Sequence, residues 1–295
     1  MTESNDLVRA IFYNEVEKVS EYLLNNNNEI SHEASFSLNF DDPESIQLVI
    51  PKDNLTLIHI AAAGDALEVF LLLLKNGFNL TDVSAANYLP IHYACNCSSY
   101  EIVSYILSID PDMAKLEQNG IEFHLLYLTA TGGDPEIMKL LFKNGVNPKS
   151  RVNKRNDPIG KSVQSKNLEC LKVLLTHGEK PPMNDDYTLP MTAAINLQPT
   201  AVEYLLEIDK RPINYVSPVK KQSLLGLCCF SGIGFKQTIL NILKRDIIVE
   251  PNERNIPGPV HWICSIIDID ITKAFLKHDI DVNRLDGEGK TGFHL

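Results

Sequence analysis

The stretch TLIHIAAAGDALEVFLLLLKNG, residues 56–77, decides the fold of this 295-residue chain. It begins with Thr56, a residue type that caps helices, and continues with a short apolar segment that ends at Gly64. A second apolar segment, residues 67–74, leads to Gly77, and glycine ends helices because it adopts positive φ without a steric penalty. We therefore predict a helix, a tight turn, a second helix and a loop.

The same pattern returns 33 residues later as LPIHYACNCSSYEIVSYILSID, residues 89–110. Residues that can end a helix in the left-handed conformation follow at intervals of 33, 35, 33, 31, 37 and 33: Gly77, Asp110, Gly145, Gly178, Asp209, Asp246 and Asp279. A period of 20–50 residues is typical of repeat proteins. A helix pair is accordingly predicted seven times, beginning at Thr56, Leu89, His124, Asp157, Leu189, Ser223 and Gly258.

These units resemble the ankyrin repeat, whose consensus is D-x-x-G-x-T-P-L-H-x-A. The consensus histidine matches His59, His92, His261 and His294, and Tyr127, Gly160, Thr192 and Gly226 stand in its place elsewhere. The resemblance implies an all-α ankyrin-repeat solenoid with hairpin-like loops. It also implies that these histidines bridge backbone groups of adjacent repeats, which makes a catalytic or metal-binding role unnecessary.

The repeats divide the chain into four parts. Residues 5–27 are predicted to form an N-terminal helix pair, residues 51–284 repeats one to seven, and residues 285–295 the start of an eighth repeat. Residues 28–50 form an insertion in which alternating Phe36, Leu38 and Phe40 predict a small β-hairpin. We expect this insertion to cover the exposed face of the first repeat, and the unfinished eighth repeat suggests a piece of a longer protein.

The sequence favours an intracellular, cytoplasmic protein. We expect it to be a monomer. The N-terminus is polar and acidic, unlike a secretory signal, and no apolar run is long enough to span a membrane. The six cysteines lack disulfide-framework or zinc-site spacing, and we expect Cys95, Cys228 and Cys264 to pack in the core. The tripeptide 289–291 lacks the earlier glycine of a phosphate-binding loop. With no catalytic motif, we expect a non-enzyme without a catalytic, cofactor or metal site.

The resemblance places a protein or peptide partner on the concave face, formed by loop tips and first helices. Aromatic residues and arginine dominate binding hot spots, which favours the aromatic members and Arg155. The candidate partner-binding residues are Tyr88, Asn96, Phe123, Thr131, Arg151, Lys154, Arg155, Asn156, Gln164, Tyr187, Lys221 and Phe230. For Phe123 and Phe230, packing between repeats is an equal alternative.

Residues 139–180 hold ten Lys or Arg against three acids, a local charge of +7 in a chain whose net charge is −11. The segment is either a solvated face or a site for an acidic partner. A weaker alternative is contact with nucleic acid, which the negative charge of the remaining chain opposes. A further hypothesis is that the chain is the substrate-recruiting arm of an enzyme whose catalytic domain lies beyond Leu295.

Overall fold

The computed structural model describes residues 2–25, 36–38, 48–116, 124–147, 157–178, 186–209, 212–249 and 257–294, with side chains from Asn5 onward. The chain divides into two compact units, residues 1–180 (unit 1) and 181–295 (unit 2). Each unit is built from helix pairs that match the period of the sequence.

Unit 1 contains ten α-helices and a 3₁₀ helix at Pro111–Lys115 in its described residues. The α-helices are α1 (Thr2–Phe12), α2 (Val16–Asn25), α3 (Leu57–Ala63), α4 (Leu67–Lys75), α5 (Pro90–Cys97), α6 (Tyr100–Ile109), α7 (Leu125–Gly132), α8 (Pro135–Lys143), α9 (Pro158–Gln164) and α10 (Leu168–Thr176).

The helices of unit 1 form two layers. The first helices of the pairs pack side by side; they are α1, α3, α5, α7 and α9. The second helices form the layer behind them; they are α2, α4, α6, α8 and α10. Each first helix of repeats one to four is nearly fully buried along one face, as Ile58, Ile91 and Leu126 illustrate. A single pair could not bury this apolar surface alone, so the stack is what stabilises each pair.

Unit 2 repeats the arrangement. Its helices are α11 (Leu189–Ile195), α12 (Pro199–Ile208), α13 (Leu224–Phe230), α14 (Lys236–Leu243), α15 (Pro259–Ile266) and α16 (Ile269–Phe275), with 3₁₀ helices at Ile233–Phe235 and Gly292–His294. Helices α11, α13 and α15 pack in one layer, and α12, α14 and α16 pack in the other. The Gly292–His294 turn packs against α15 as the next first helix would.

The left-handed helix ends are confirmed only in part. Gly77, Gly145 and Gly178 have φ of 95°, 84° and 84°. The prediction is wrong at Asp110 and Asp209, which have φ of −137° and −70°, and Asp246 and Asp279 also lack positive φ. At Asp110 the reason is Pro111, because a residue before proline is pushed towards extended backbone.

Left-handed residues instead mark the turn between the two helices of every repeat, a series that sequence reasoning missed. The series is Asp65, Ser98, Gly133, Lys166, Leu197, Gly232 and Ile267. It turns the chain from the first helix into the second in both units.

The alignment of the fifth repeat is wrong by one residue. The Oγ1 of Thr188 accepts the N–H of Met191 at 3.2 Å, so Thr188 is the capping residue and Met191, not Thr192, occupies the histidine position. The dipeptide 189–190 resembles Leu89-Pro90, but Pro190 takes the second helical position whereas Pro90 takes the first.

The predicted β-hairpin over 31–50 lies largely outside the described residues. In the described part, Phe36 and Leu55 form an antiparallel bridge, with N···O distances of 2.8 and 2.9 Å. A similar bridge pairs Val216 with Ser223 in a repeat loop of unit 2.

In the part of the chain that the structure describes, every helix is too short or too polar to cross a membrane.

Candidate functional site

The surface available to a partner is set by two positions of each first helix, which lie four and seven residues after the capping residue. We call these residues the inner-helix surface of each unit. In unit 1 they are Ile60, Ala63, Tyr93, Asn96, Leu128, Thr131, Lys161 and Gln164. In unit 2 they are Thr192, Ile195, Leu227, Phe230, Trp262 and Ser265.

Residues 48–51 contact the inner-helix surface of repeat two, whereas the insertion was expected to cover the first repeat. The N–H of Val49 donates to Asn96 Oδ1 at 3.3 Å, and the hydroxyl of Tyr93 donates to the carbonyl oxygen of Pro51 at 3.0 Å. Ile50, between them, is 2% exposed. The chain itself therefore occupies the surface on which a partner was expected at Asn96.

The expectation that Tyr88 and Asn96 are accessible is wrong, because both are 3% exposed. The ring of Tyr88 packs edge-on against the rings of His92 and Tyr93, with centroids 5.5 and 6.3 Å away. Asn96 is buried since it holds the segment 48–51. Both side chains stabilise the repeats and are not available to a partner.

Repeats three and four leave a polar surface open. Gln164 is exposed, and Thr131 is half-buried with its hydroxyl donating to the carbonyl oxygen of Tyr127 at 3.0 Å. Lys161 is also half-buried, and its Nζ lies 5.8 Å from the centroid of the Tyr127 ring, within the range of a cation–π contact. Burial lowers the pKa of Lys161.

In unit 2 the inner-helix surface is mainly apolar, since four of its six residues are Ile195, Leu227, Phe230 and Trp262. Phe230 is 64% exposed and Ile195 45% exposed. The Phe230 ring meets the half-buried Trp262 edge to face, with centroids 4.9 Å apart. The alternative that Phe230 is buried between repeats is therefore wrong: it packs on Trp262 and leaves most of its surface in solvent.

The inter-helix turns next to this surface are also apolar in unit 2. Leu197 is 60% and Ile267 92% exposed, and both have positive φ, of 57° and 51°. A β-branched residue is strained in this conformation because its Cβ substituents crowd the backbone. In unit 1 the equivalent residues are polar or glycine.

Tyr187 and Lys221 lie in two adjacent loops of unit 2. The hydroxyl of Tyr187 donates to Gln222 Oε1 at 2.7 Å, and Asp186 accepts from the Ser217 hydroxyl and from the N–H of Val219. Tyr187 and Lys221 are both half-buried. Partner binding by either stays a prediction.

Five further candidates lie outside the described residues: Phe123, Arg151, Lys154, Arg155 and Asn156.

The histidines stabilise the repeats, as the sequence predicts. His59 contacts Thr56 Oγ1 at 2.8 Å and the carbonyl oxygen of Tyr88 at 3.0 Å, and His261 contacts the carbonyl oxygen of Lys290 at 3.3 Å. The bridge to the next repeat is thus confirmed at His59 and His261, but not at His92, whose buried Nε2 has no hydrogen-bond partner among the described residues. Burial lowers the pKa of His59 to about 4 and that of His92 to about 3, so both are neutral near pH 7.

Where the histidine is missing, the capping side chain takes over its local role. Asp157 and Ser223 accept the N–H three residues ahead, at 2.6 and 3.1 Å, as Thr188 does. In His92 and His261, by contrast, Nδ1 accepts the N–H of the residue just before the helix, Leu89 and Gly258, at 3.1 and 3.0 Å. Either arrangement satisfies a helix-end donor.

The cysteines offer no reactive site in the described residues. Cys95 and Cys228 are buried, as expected, whereas Cys264 is half-buried. Burial raises the pKa of Cys95, Cys97 and Cys170 to about 12, so these thiols stay protonated and are poor nucleophiles. Within the described ranges, no group of three His, Cys, Asp or Glu residues is arranged to hold a metal ion.

The structure adds four surface residues to the candidates: Ile195, Leu197, Trp262 and Ile267. Aligning the fifth repeat by Thr188 rather than by its proline would have placed Ile195 at the position of Phe230. The exposure of Leu197 and Ile267 depends on the left-handed turn series, which the sequence does not show because these residue types rarely adopt positive φ.

Paired helices that stack in two layers in each unit, joined by short left-handed turns and bridged by histidines, define a helical-repeat protein. A model of ankyrin repeats, in three copies, matches residues 6–115 and 126–215. The chain therefore belongs to the ankyrin-repeat family, and the predicted all-α ankyrin-repeat fold is confirmed.

Individual similarities are more distant. The chain is 25% identical to a protein of Dictyostelium discoideum named NAD-dependent deacetylase sir2B, over 91% of this chain and 39% of that protein. It is 26% identical to a Caenorhabditis elegans homologue of the transient receptor potential cation channel subfamily A member 1, over 55% of this chain and 14% of that protein. The human ASB11 ankyrin repeat domain matches at 17% identity and a TM-score of 0.49, covering 80% of this chain and 89% of that domain. The chain thus spans less than half the length of these two curated relatives.

Proposed function

We propose that this chain is a non-catalytic interaction module whose inner-helix surface binds a protein or peptide partner. The exposed Phe230, which packs on the half-buried Trp262, and the exposed Ile195 at the equivalent position of the preceding repeat support this proposal most directly. Exposed aromatic side chains that lie together on rigid helices are typical of binding hot spots, whereas isolated exposed apolar residues are ordinary. The strained, exposed Ile267 next to the pair supports a role beyond folding.

The test is the double variant Phe230→Ala/Trp262→Ala. Affinity capture from native cell extract, with mass spectrometry of crosslinks, identifies the partner and the residues it contacts. We expect crosslinks near residues 195–197 and 262–270, and a loss of at least about 10-fold in affinity for the double variant. Leu276→Ala, which removes a side chain 62% exposed at the end of α16, is the control and should bind normally. A partner that binds the double variant with unchanged affinity would rule out this surface.

A second candidate is the substrate-recruiting arm of a larger enzyme. The similarity to the Dictyostelium protein named as a deacetylase, over 91% of this chain, favours it. Sequencing the full-length transcript tests the idea: an adjoining catalytic domain would support it, and a reading frame that ends after a capping repeat would contradict it. The two candidates share the same binding surface.

A further inference from the structure

Residues 48–51 show how this protein holds a peptide segment against a first helix. Both hydrogen bonds are made to the backbone of the segment: Asn96 accepts the N–H of Val49, and Tyr93 donates to the carbonyl oxygen of Pro51. The side chains that hold it lie seven and four residues after the capping residue of repeat two. The segment is therefore held through backbone atoms, which a peptide of any sequence carries.

Three of the four equivalent positions in the next two repeats are at least partly open: Thr131 and Lys161 are half-buried and Gln164 is exposed, whereas Leu128 is buried. Helix α7 packs beside α5 and α9 beside α7 in the same layer, so this part of the surface continues that of repeat two. The equivalents of Asn96 are Thr131 and Gln164, which carry a hydroxyl and an amide, and Gln164 is exposed. An amide side chain can both accept from and donate to a peptide backbone.

Lys161 adds a positive charge that has no counterpart where residues 48–51 contact α5. It stands at the position of Tyr93, is half-buried, and rests near the Tyr127 ring. Among the described residues, none places a carboxylate within ion-pair distance of its Nζ, whereas Lys139 and Lys172 on the second helices pair with Glu136 at 2.6 Å and Glu169 at 2.8 Å. A half-buried ammonium without a carboxylate partner favours an anionic ligand.

We propose that repeats three and four bind an extended acidic peptide, with Lys161 pairing with a Glu or Asp side chain and Gln164 and Thr131 hydrogen-bonding the peptide backbone. This deepens the proposed function, on which it rests, by naming the kind of partner that the unit 1 surface accepts. The peptide lies across α7 and α9 as residues 48–51 lie across α5.

A displayed library of random dodecapeptides, selected on the whole chain, provides the probe. We expect the selected peptides to be enriched in Asp and Glu. For a synthetic copy of one of them, fluorescence anisotropy should show binding weakened at least 10-fold by Lys161→Ala and less than 2-fold by Lys139→Ala. The control removes the same charge from the same basic segment, but on a second helix. A library that yields no binding peptide, or peptides without acidic enrichment, would overturn the proposal.

The backbone contact is tested by a double-mutant cycle. Gln164→Ala and N-methylation of one peptide amide should each weaken binding about 5-fold, and together no more than either alone, because both remove the same hydrogen bond. Additive losses at every methylated position would contradict the backbone contact. If the selected peptides need Phe230 and Trp262 but not Lys161, this inference fails while the proposed function stands.

Discussion

At the residue scale, buried neutral histidines link the stability of the repeats to pH. His59 is fully buried and joins Thr56 to the loop of the next repeat. Its pKa falls to about 4 because burial disfavours the charged ring, although the Asp82 carboxylate and the hydrogen bond to Tyr88 act in the opposite direction. Protonation of His59 must therefore weaken the folded state.

We predict that His59→Gln flattens the dependence of stability on pH. Between pH 6.5 and pH 4 the unfolded chain binds a proton at His59 that the folded chain does not, so acidification through this range lowers the free energy of unfolding. Removing this site should reduce the slope by up to about 1.4 kcal/mol per pH unit. Urea unfolding at pH 5, 6 and 7 measures the slope. The exposed His294→Gln serves as the control, and equal slopes for His59→Gln and the unchanged chain would contradict the prediction.

A second residue-scale prediction concerns Ile267, the left-handed residue between α15 and α16. With φ of 51° and 92% exposure, it is strained and makes little contact that could compensate. Ile267→Gly should therefore raise the free energy of unfolding by about 1 kcal/mol, since glycine adopts positive φ freely. Ile269→Gly, at the exposed first residue of α16, should lower it by about 0.5–1 kcal/mol. A loss of stability in Ile267→Gly would show that the turn is not strained.

These residues show where sequence reasoning works. The histidines could be assigned because their partners, a capping residue three positions back and a loop one repeat ahead, lie at fixed sequence distances. The burial of Asn96 could not, because it depends on residues 48–51, which lie outside the regular repeat pattern. The outward position of Phe230 beside Trp262 could not be predicted either, because it depends on how the two repeats align and on the rotamer that Phe230 adopts.

At the element scale, small residues set how closely the first helices approach. The sequence points to alanines such as Ala61 and Ala94, and both are fully buried. A close approach is made by Gly132 at the end of α7, where an added Cβ would lie 2.6 Å from the carbonyl oxygen of Asn96 and 2.8 Å from that of Cys95. The period predicts the helix pair, but such backbone contacts between neighbouring pairs appear only in three dimensions.

We predict that Gly132→Ala is destabilising although alanine favours helix formation. The new methyl group would meet the end of α5, and backbone atoms cannot rotate away as a side chain can, so α5 and α7 must separate. The expected loss is about 1–3 kcal/mol in the free energy of unfolding, measured by urea titration. Gly234→Ala, which has no heavy atom within 4 Å of the added Cβ, should change it by less than about 1 kcal/mol. A stabilised Gly132→Ala variant would mean that the helices have room to spare.

At the scale of the whole molecule, the inner-helix surface differs from repeat to repeat. It is covered by residues 48–51 in repeat two, more polar and partly open in repeats three and four, and mainly apolar in unit 2. The repeat period predicts the positions of these residues but not their exposure, because a non-repeating segment covers part of them. The covered part should respond to substitution as protein core and the open part as protein surface.

Asn96→Ala and Gln164→Ala test this difference at equivalent positions. Asn96→Ala removes the acceptor of a part-buried N–H, and the unsatisfied donor should cost about 1–3 kcal/mol in the free energy of unfolding. It should also speed hydrogen exchange at the Val49 amide, since that N–H loses its protection. Gln164→Ala, at an exposed side chain, should change stability by less than about 0.5 kcal/mol and leave Val49 unaffected. If Val49 exchanges equally fast in both variants and in the unchanged chain, residues 48–51 are not held on this surface in solution. The part of the surface that they cover would then be as open to a partner as that of repeats three and four.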